Sequence, residues 1–119
     1  MTFNEYQKLA RSTAVYPKEY KVIYPALGLC GEAGEVAEKI KRTVRGDMDD
    51  VAAELGVKTV WASGEIAMEL GDVLWYIATL ADDLGFDLET IAEWNVDKLQ
   101  RRMRENKIKG DGDNDSKRT

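Results

Sequence analysis

Residues 65–84, EIAMELGDVLWYIATLADDL, place Ile66, Leu70, Val73, Leu74, Ile77, Ala81 and Leu84 along one side of a 3.6-residue helix. Gly85 follows at the position where a left-handed residue commonly ends such a helix. The stretch is too interrupted by Glu65, Glu69, Asp72, Asp82 and Asp83 to cross a membrane. It is apolar beyond one stripe, since Trp75 and Ala78 widen the face toward the far side. A chain whose longest patterned segment reads this way is predicted to be all-α.

Working outward, Thr2 is placed to cap a first helix from Phe3 to about Val15, stopped by Tyr16-Pro17. The tyrosine-rich YPKEYKVIYP, residues 16–25, reads as a loop held between two prolines. A second helix is expected to follow Pro25 and run to about Val44, with Ala33, Val36, Ala37, Ile40 and Val44 as its core stripe. Asp87 is placed to cap a fourth helix, with Glu89 in its first turn and Leu88, Ala92, Val96, Leu99 and Met103 apolar, ending near Asn106. Between the second and third helices, residues 47–64 read as a short helix and then an irregular or briefly extended piece. Residues 107–119 hold almost no apolar side chains and are predicted to be a flexible polar tail. One domain over residues 1–106, a four-helix bundle-like arrangement, accounts for the pattern.

Composition narrows the chemistry. There is no histidine, which removes histidine-dependent triads, the usual zinc sites and Glu-x-x-His di-iron bundles. A metal here must be held mainly by carboxylates, which suit magnesium, manganese or calcium. The net charge of −5 argues against general nucleic-acid binding. The single cysteine, Cys30, is expected to be a buried, inert thiol, and the N-terminus lacks a signal-peptide pattern, so a reducing cytoplasm is the expected location.

The charges themselves are ordered. Glu32, Glu35 and Lys39 share one flank of the second helix; Glu69, Asp72 and Tyr76 share one flank of the third, with Glu65 a turn earlier; Asn95, Lys98 and Arg102 share an edge of the fourth. Flanks of amphipathic helices are commonly charged because they meet water, and Glu38 and Lys41 read that way. Like charges three residues apart nevertheless repel and gain nothing structurally. One acidic pair on each of two core helices points to carboxylates converging around a divalent cation.

Those residues carry a family resemblance. GEAGEVAEKIKR (31–42) followed by MELGDVLWY (68–76) resembles the Glu-x-x-Glu and Glu-x-x-Asp signature of MazG-like nucleotide pyrophosphohydrolases, the all-α NTP pyrophosphatase superfamily. FNEYQKLARSTAVYP (3–17) and YPALGLCGEAGE (24–35) resemble the start of short MazG-like proteins of bacteria and their phages. NVDKLQRR (95–102) is similar to the family's Asn-x-x-Lys-Leu-x-x-Arg helix, and KIKGDGDND (107–115) to a Gly-Asp-rich tail. The gap between the acidic pairs is longer than usual, so 47–64 is read as an insertion, and Gly31 stands where many members carry a further glutamate.

The resemblance implies hydrolysis of a (deoxy)nucleoside triphosphate to monophosphate and pyrophosphate with Mg2+, for which Mn2+ can substitute. It implies metal ligation by Glu32, Glu35, Glu69 and Asp72, with Glu35 or Glu38 as candidate base. Lys98 and Arg102 would hold pyrophosphate with help from Lys39; Tyr76 would meet the sugar, and Asn95 a phosphate or a metal-bound water. A homodimer or homotetramer with sites near subunit interfaces is implied as well, and the wide apolar side of the third helix is the expected contact. Base selection is expected from Phe3, Asn4 and Gln7, the tyrosine loop, or residues 47–64. Two other readings fit the same pattern: a phosphoribosyl-ATP pyrophosphohydrolase, and a non-catalytic helical interaction module.

Overall fold

The computed structural model describes residues 1–45 and 63–109, with side chains through Asn106. Among them are four helices and one 3-10 turn, and no strand. We label the helices α1 (Phe3–Ser12), α2 (Ile23–Arg45), α3 (Ser63–Asp83) and α4 (Leu88–Lys109); the turn is Lys18–Tyr20. Most of the expected 47–64 insertion and the tail beyond Lys109 lie outside the described residues. No helix is long and apolar enough to cross a membrane, among the described residues.

Local chemistry sets the ends. The Thr2 hydroxyl accepts the Glu5 N–H at 3.1 Å, and the Glu5 carboxylate accepts the Thr2 N–H at 2.9 Å, so two otherwise orphaned donors are satisfied. The first helix stops at Ser12, shorter than the expected Val15. The Thr13 hydroxyl turns back to the Ala10 carbonyl at 2.8 Å and also accepts the Trp75 indole N–H at 2.8 Å. α2 starts ahead of Pro25 rather than after it. A proline in a first turn costs nothing, because its missing N–H would have had no intrahelical partner. α3 ends as expected at Gly85, φ +85, with Phe86 N–H on the Ala81 carbonyl and Gly85 N–H on that of Asp82. α4 runs three residues past the expected end, to Lys109.

Capping of α4 comes from across the fold. Its Leu88 N–H donates to Gln7 Oε1 at 3.1 Å and its Glu89 N–H to Asn4 Oδ1 at 3.2 Å, while Asp87 contributes its backbone carbonyl to the Ile91 N–H. Gln7 is buried and its amide also donates to the carbonyls of Ala78 and Phe86. Asn4 and Gln7, expected among the base-reading residues, are thus engaged in joining α1 to the α3–α4 corner. Ala10, Ala78 and Leu88 form the buried core there, with Tyr6, Leu74, Trp75 and Ile77 packed against it.

A second anchor joins α1, the 13–22 connection and α3. Arg11 donates to Asp82 and Asp83 at 2.5 Å each and to the Thr79 carbonyl at 3.1 Å. The Tyr16 hydroxyl donates to Asp83 at 2.7 Å, and the N–H of Val22, at φ 69, donates to the same carboxylate at 2.9 Å. Asp83 therefore fixes where α2 begins and the direction in which it leaves.

α2 then packs along α3, but not on the expected face. Pro25 and Thr43 are buried and Gly28, Glu32, Val36 and Lys39 half-buried, whereas Ala33, Ala37, Ile40 and Val44 of the expected core stripe are exposed, Val44 at 74%. The helix is rotated so that its polar flank meets α3. Leu70 on α3 and Val96, Leu99 and Met103 on α4 are likewise exposed, whereas the start of α4 is held by its caps from Gln7 and Asn4. The wide side of α3 is not the open surface that the pattern suggested. α1 covers Trp75 and Ala78, and among the described residues Ile40, Ile66, Ala67 and Leu70 line an open apolar groove of about 390 Å³. Cys30, expected to be buried, is exposed. It lies on α2 next to Leu29, on the side turned away from α3.

Candidate metal centre

The antiparallel pairing of α2 and α3 sets side chains opposite one another in register. Gly28 lies against Tyr76, Glu32 meets Glu69 and Asp72, and Lys39 meets Glu65 and Glu69. Three carboxylates thereby converge: Glu32, Glu69 and Asp72 each offer an oxygen, and the three oxygens lie within 4.8 Å of one another. All-oxygen donors of this charge and spacing fit a hard divalent cation.

Electrostatics at Glu32 record the crowding. Partial burial raises its carboxyl above the ordinary value, and a hydrogen bond to Glu69 and the charges of Asp72, Glu69 and Glu35 raise it further. The charged form is disfavoured there until something positive shares the site. Burial also raises the Tyr76 phenol, as do its hydrogen bond to Tyr24 and the charges of Tyr24, Glu32 and Asp72. Tyr76 thus lies within the field of the cluster, and Tyr24 bridges it to Tyr16, whose ring is stacked at 4.9 Å.

The other sequence candidates take different places. Glu35 is exposed and supplies no oxygen to the close trio, although its charge reaches Glu32. Glu38 pairs with Lys41 at 3.0 Å, and that hydrogen bond holds its carboxyl below the ordinary value. Lys39 is mostly covered, its ammonium 3.7 Å from Glu69 and 3.8 Å from Glu65. Asn95 and Lys98 are exposed on α4; Arg102 is half-buried, and its Nη2 is buried without a hydrogen-bond partner among the described residues.

Gly28 and Glu65 were not singled out from the sequence as site residues. The available signal for Gly28 was a glycine one helical turn before Glu32, inside a helix where it costs about 1 kcal/mol relative to alanine. A Cβ there would overlap the Tyr76 ring, so the missing side chain is what lets α2 approach α3. Gly28→Ala is expected to destabilise the fold by about 1–3 kcal/mol through overpacking. It should also weaken Mn2+ binding, since Glu32 sits one turn on, and Gly28→Ala/Tyr76→Ala should recover much of the stability. Thermal melts with and without Mn2+ check this; an unchanged melt for Gly28→Ala would show that Tyr76 swings aside freely.

Comparison with known proteins identifies the family. The MazG nucleotide pyrophosphohydrolase domain matches residues 25–106, a span that contains both acidic pairs and the α4 basic edge. The Gene 37 protein of Mycobacterium phage L5 is 41% identical over 115 residues, covering 92% of this chain and 95% of that protein. No solved structure gives a significant match. With the domain spanning the helices that build the carboxylate trio, this chain belongs to the MazG nucleotide pyrophosphohydrolase family.

Proposed function

We propose that this protein is a divalent-metal-dependent (d)NTP pyrophosphohydrolase. Water attacks the α-phosphorus, an oxygen–Pα bond forms as the Pα–O–Pβ bridge breaks, and the products are (d)NMP and pyrophosphate. The observation that carries the reading is the convergence of Glu32, Glu69 and Asp72 from two helices of a chain in this family. Bound Mg2+ or Mn2+ would supply charge neutralisation at the phosphates and an acidified water.

Each residue then has a defined task. Glu32, Glu69 and Asp72 would hold the cation, with Glu35 completing the set or taking the proton of the attacking water. Lys41 engages Glu38, which leaves Glu35 the better placed base. Lys98 and Arg102 would bind the departing pyrophosphate, and the buried Nη2 of Arg102, without a hydrogen-bond partner among the described residues, is a donor suited to a phosphate oxygen. Asn95 would assist at the phosphates, and Tyr76, held by Gly28 and Tyr24, would contact the sugar. Positioning and electrostatics of this kind supply most of phosphoryl-transfer catalysis without a covalent nucleophile.

The site is further proposed to work within a homodimer or homotetramer. Exposed Ile40, Val44 and Leu70, and the α4 stripe of Val96, Leu99 and Met103, form apolar faces that a second copy would cover. A panel of nucleoside triphosphates and phosphoribosyl-ATP, assayed with Mg2+ and with Mn2+ for pyrophosphate against orthophosphate, tests the function. Release of pyrophosphate from one or more (d)NTPs, dependent on metal, is the expected result. Orthophosphate alone would overturn the cleavage position, and turnover of phosphoribosyl-ATP alone would reassign the substrate.

A further inference from the structure

Lys39, expected to help hold pyrophosphate, is instead engaged with carboxylates of the acidic flank in this structure. Its ammonium lies 3.7 Å from a Glu69 oxygen and 3.8 Å from Glu65, and its side chain is only 18% exposed. Glu69 is also one of the three residues whose oxygens converge. One carboxylate therefore faces both a lysine ammonium and the position of a divalent cation. Two positive groups a few ångströms apart repel strongly, so both cannot keep Glu69 at full strength. The other contact, Glu65, is 61% exposed, and an exposed ion pair holds a lysine weakly. Lysine carries its charge on a flexible four-carbon stem and can move it by several ångströms without moving the helix.

We propose that Lys39 is a displaceable counter-ion that couples nucleotide binding to metal binding. In the absence of nucleotide the ammonium holds Glu69 and Glu65 and weakens the hold of the trio on a cation. A triphosphate offers it a new anionic partner, so that Lys39 leaves Glu69 as the phosphate arrives. Metal and nucleotide then favour each other's binding, and by linkage the coupling is reciprocal. Glu65 acts as the resting anchor, keeping the lysine beside the site rather than in solvent. The inference rests on the metal reading of Glu32, Glu69 and Asp72.

The test is Mn2+ binding to the full-length protein, read from the spectrum of free Mn2+, without nucleotide and then with a triphosphate analogue whose α,β-bridge is a methylene. Lys39→Met keeps an unbranched stem and removes the charge; it is expected to bind Mn2+ about tenfold more tightly than the natural chain. With the analogue present, that advantage should vanish or reverse. Lys39→Arg keeps the charge and should bind Mn2+ within about twofold of the natural chain, as should Lys41→Met, which removes an equal charge from the far side of α2. Equal Mn2+ affinities for the natural chain and Lys39→Met would overturn the proposal while leaving the metal site standing. Absence of Mn2+ binding in every variant would overturn the metal reading itself. If Lys39→Met fails to melt cooperatively, Lys39→Gln takes its place in the same titration.

Discussion

Glu69→Gln is expected to lower kcat/KM for Mg2+-dependent pyrophosphate release by about 10³-fold or more, with the protein still folded. Glu69 is shared by every part of the site: its oxygen converges with those of Glu32 and Asp72, and the same side chain faces Lys39. Glutamine keeps the shape but removes the charge that a hard cation requires. Stability should change little, because the lost Lys39 contact at 3.7 Å is a long one and repulsion from Glu32 and Asp72 is relieved together with it. The diagnostic reading is therefore a pair. Ligand binding raises the melt of the natural chain by mass action, by about 2.7 kcal/mol at a hundred times the dissociation constant. That rise should disappear in Glu69→Gln while the melt in EDTA stays near its original temperature. Asp72→Asn should behave alike. Activity within tenfold of the natural chain in both variants would mean the carboxylates are surface groups.

The largest stability effect is expected at Asp83, far from the chemistry. Its side chain is 4% exposed and receives Arg11, the Tyr16 hydroxyl and the Val22 N–H. Asp83→Ala removes the acceptor of the Val22 N–H and of the Tyr16 hydroxyl and one of the two carboxylates that Arg11 engages, and each donor left unsatisfied costs about 1–3 kcal/mol. Because domains of this size are stable by only about 5–15 kcal/mol, urea denaturation should show the change as a large shift in midpoint. Asp83→Asn should fall in between. The pH dependence has a definite sign. Burial pushes the Asp83 carboxyl up, but the Val22 N–H, the Tyr16 hydroxyl and Arg11 outweigh it and hold it below its ordinary value. A folded-state value below the unfolded one contributes stability that is complete above about pH 4 and is lost as pH falls through the lowered value. Midpoints measured from pH 6 downward should thus drop for the natural chain below about pH 4. Asp83→Asn should lack that part of the decline, and parallel curves for the two chains would remove Asp83 from the account.

Gln7 and Asn4 show why part of the site was hidden in the sequence. As polar residues on a short first helix they look free for ligand recognition, yet both are committed to the N-terminal N–H groups of α4, more than eighty residues away. Nothing near positions 4 and 7 announces that. Thr2 and Glu5, by contrast, close a capping box within one turn, and Gly85 ends α3 through bonds to Ala81 and Asp82. Features satisfied within a turn were legible; features satisfied across the chain were not. The acidic pairs fall between these cases. Their spacing placed Glu32 with Glu35 and Glu69 with Asp72, but it could not separate the three oxygens that converge from the exposed Glu35.

The sequence alone determined that the chain is helical, where α1 begins and α3 ends, and that its unusual chemistry is carboxylate on adjoining flanks, because propensity, capping and period act over a turn or two. The tertiary structure decided how α2 is rotated about its axis. An apolar stripe such as Ala33, Ala37, Ile40 and Val44 is equally able to face its own chain or another surface, so period alone leaves the choice open. What resolves it is contact between distant residues: Asp83 setting the start of α2, the bare backbone of Gly28 admitting the Tyr76 ring, and Lys39 reaching Glu65 and Glu69. Those contacts turn the polar flank inward, and only then do Glu32, Glu69 and Asp72 stand close enough to share one cation.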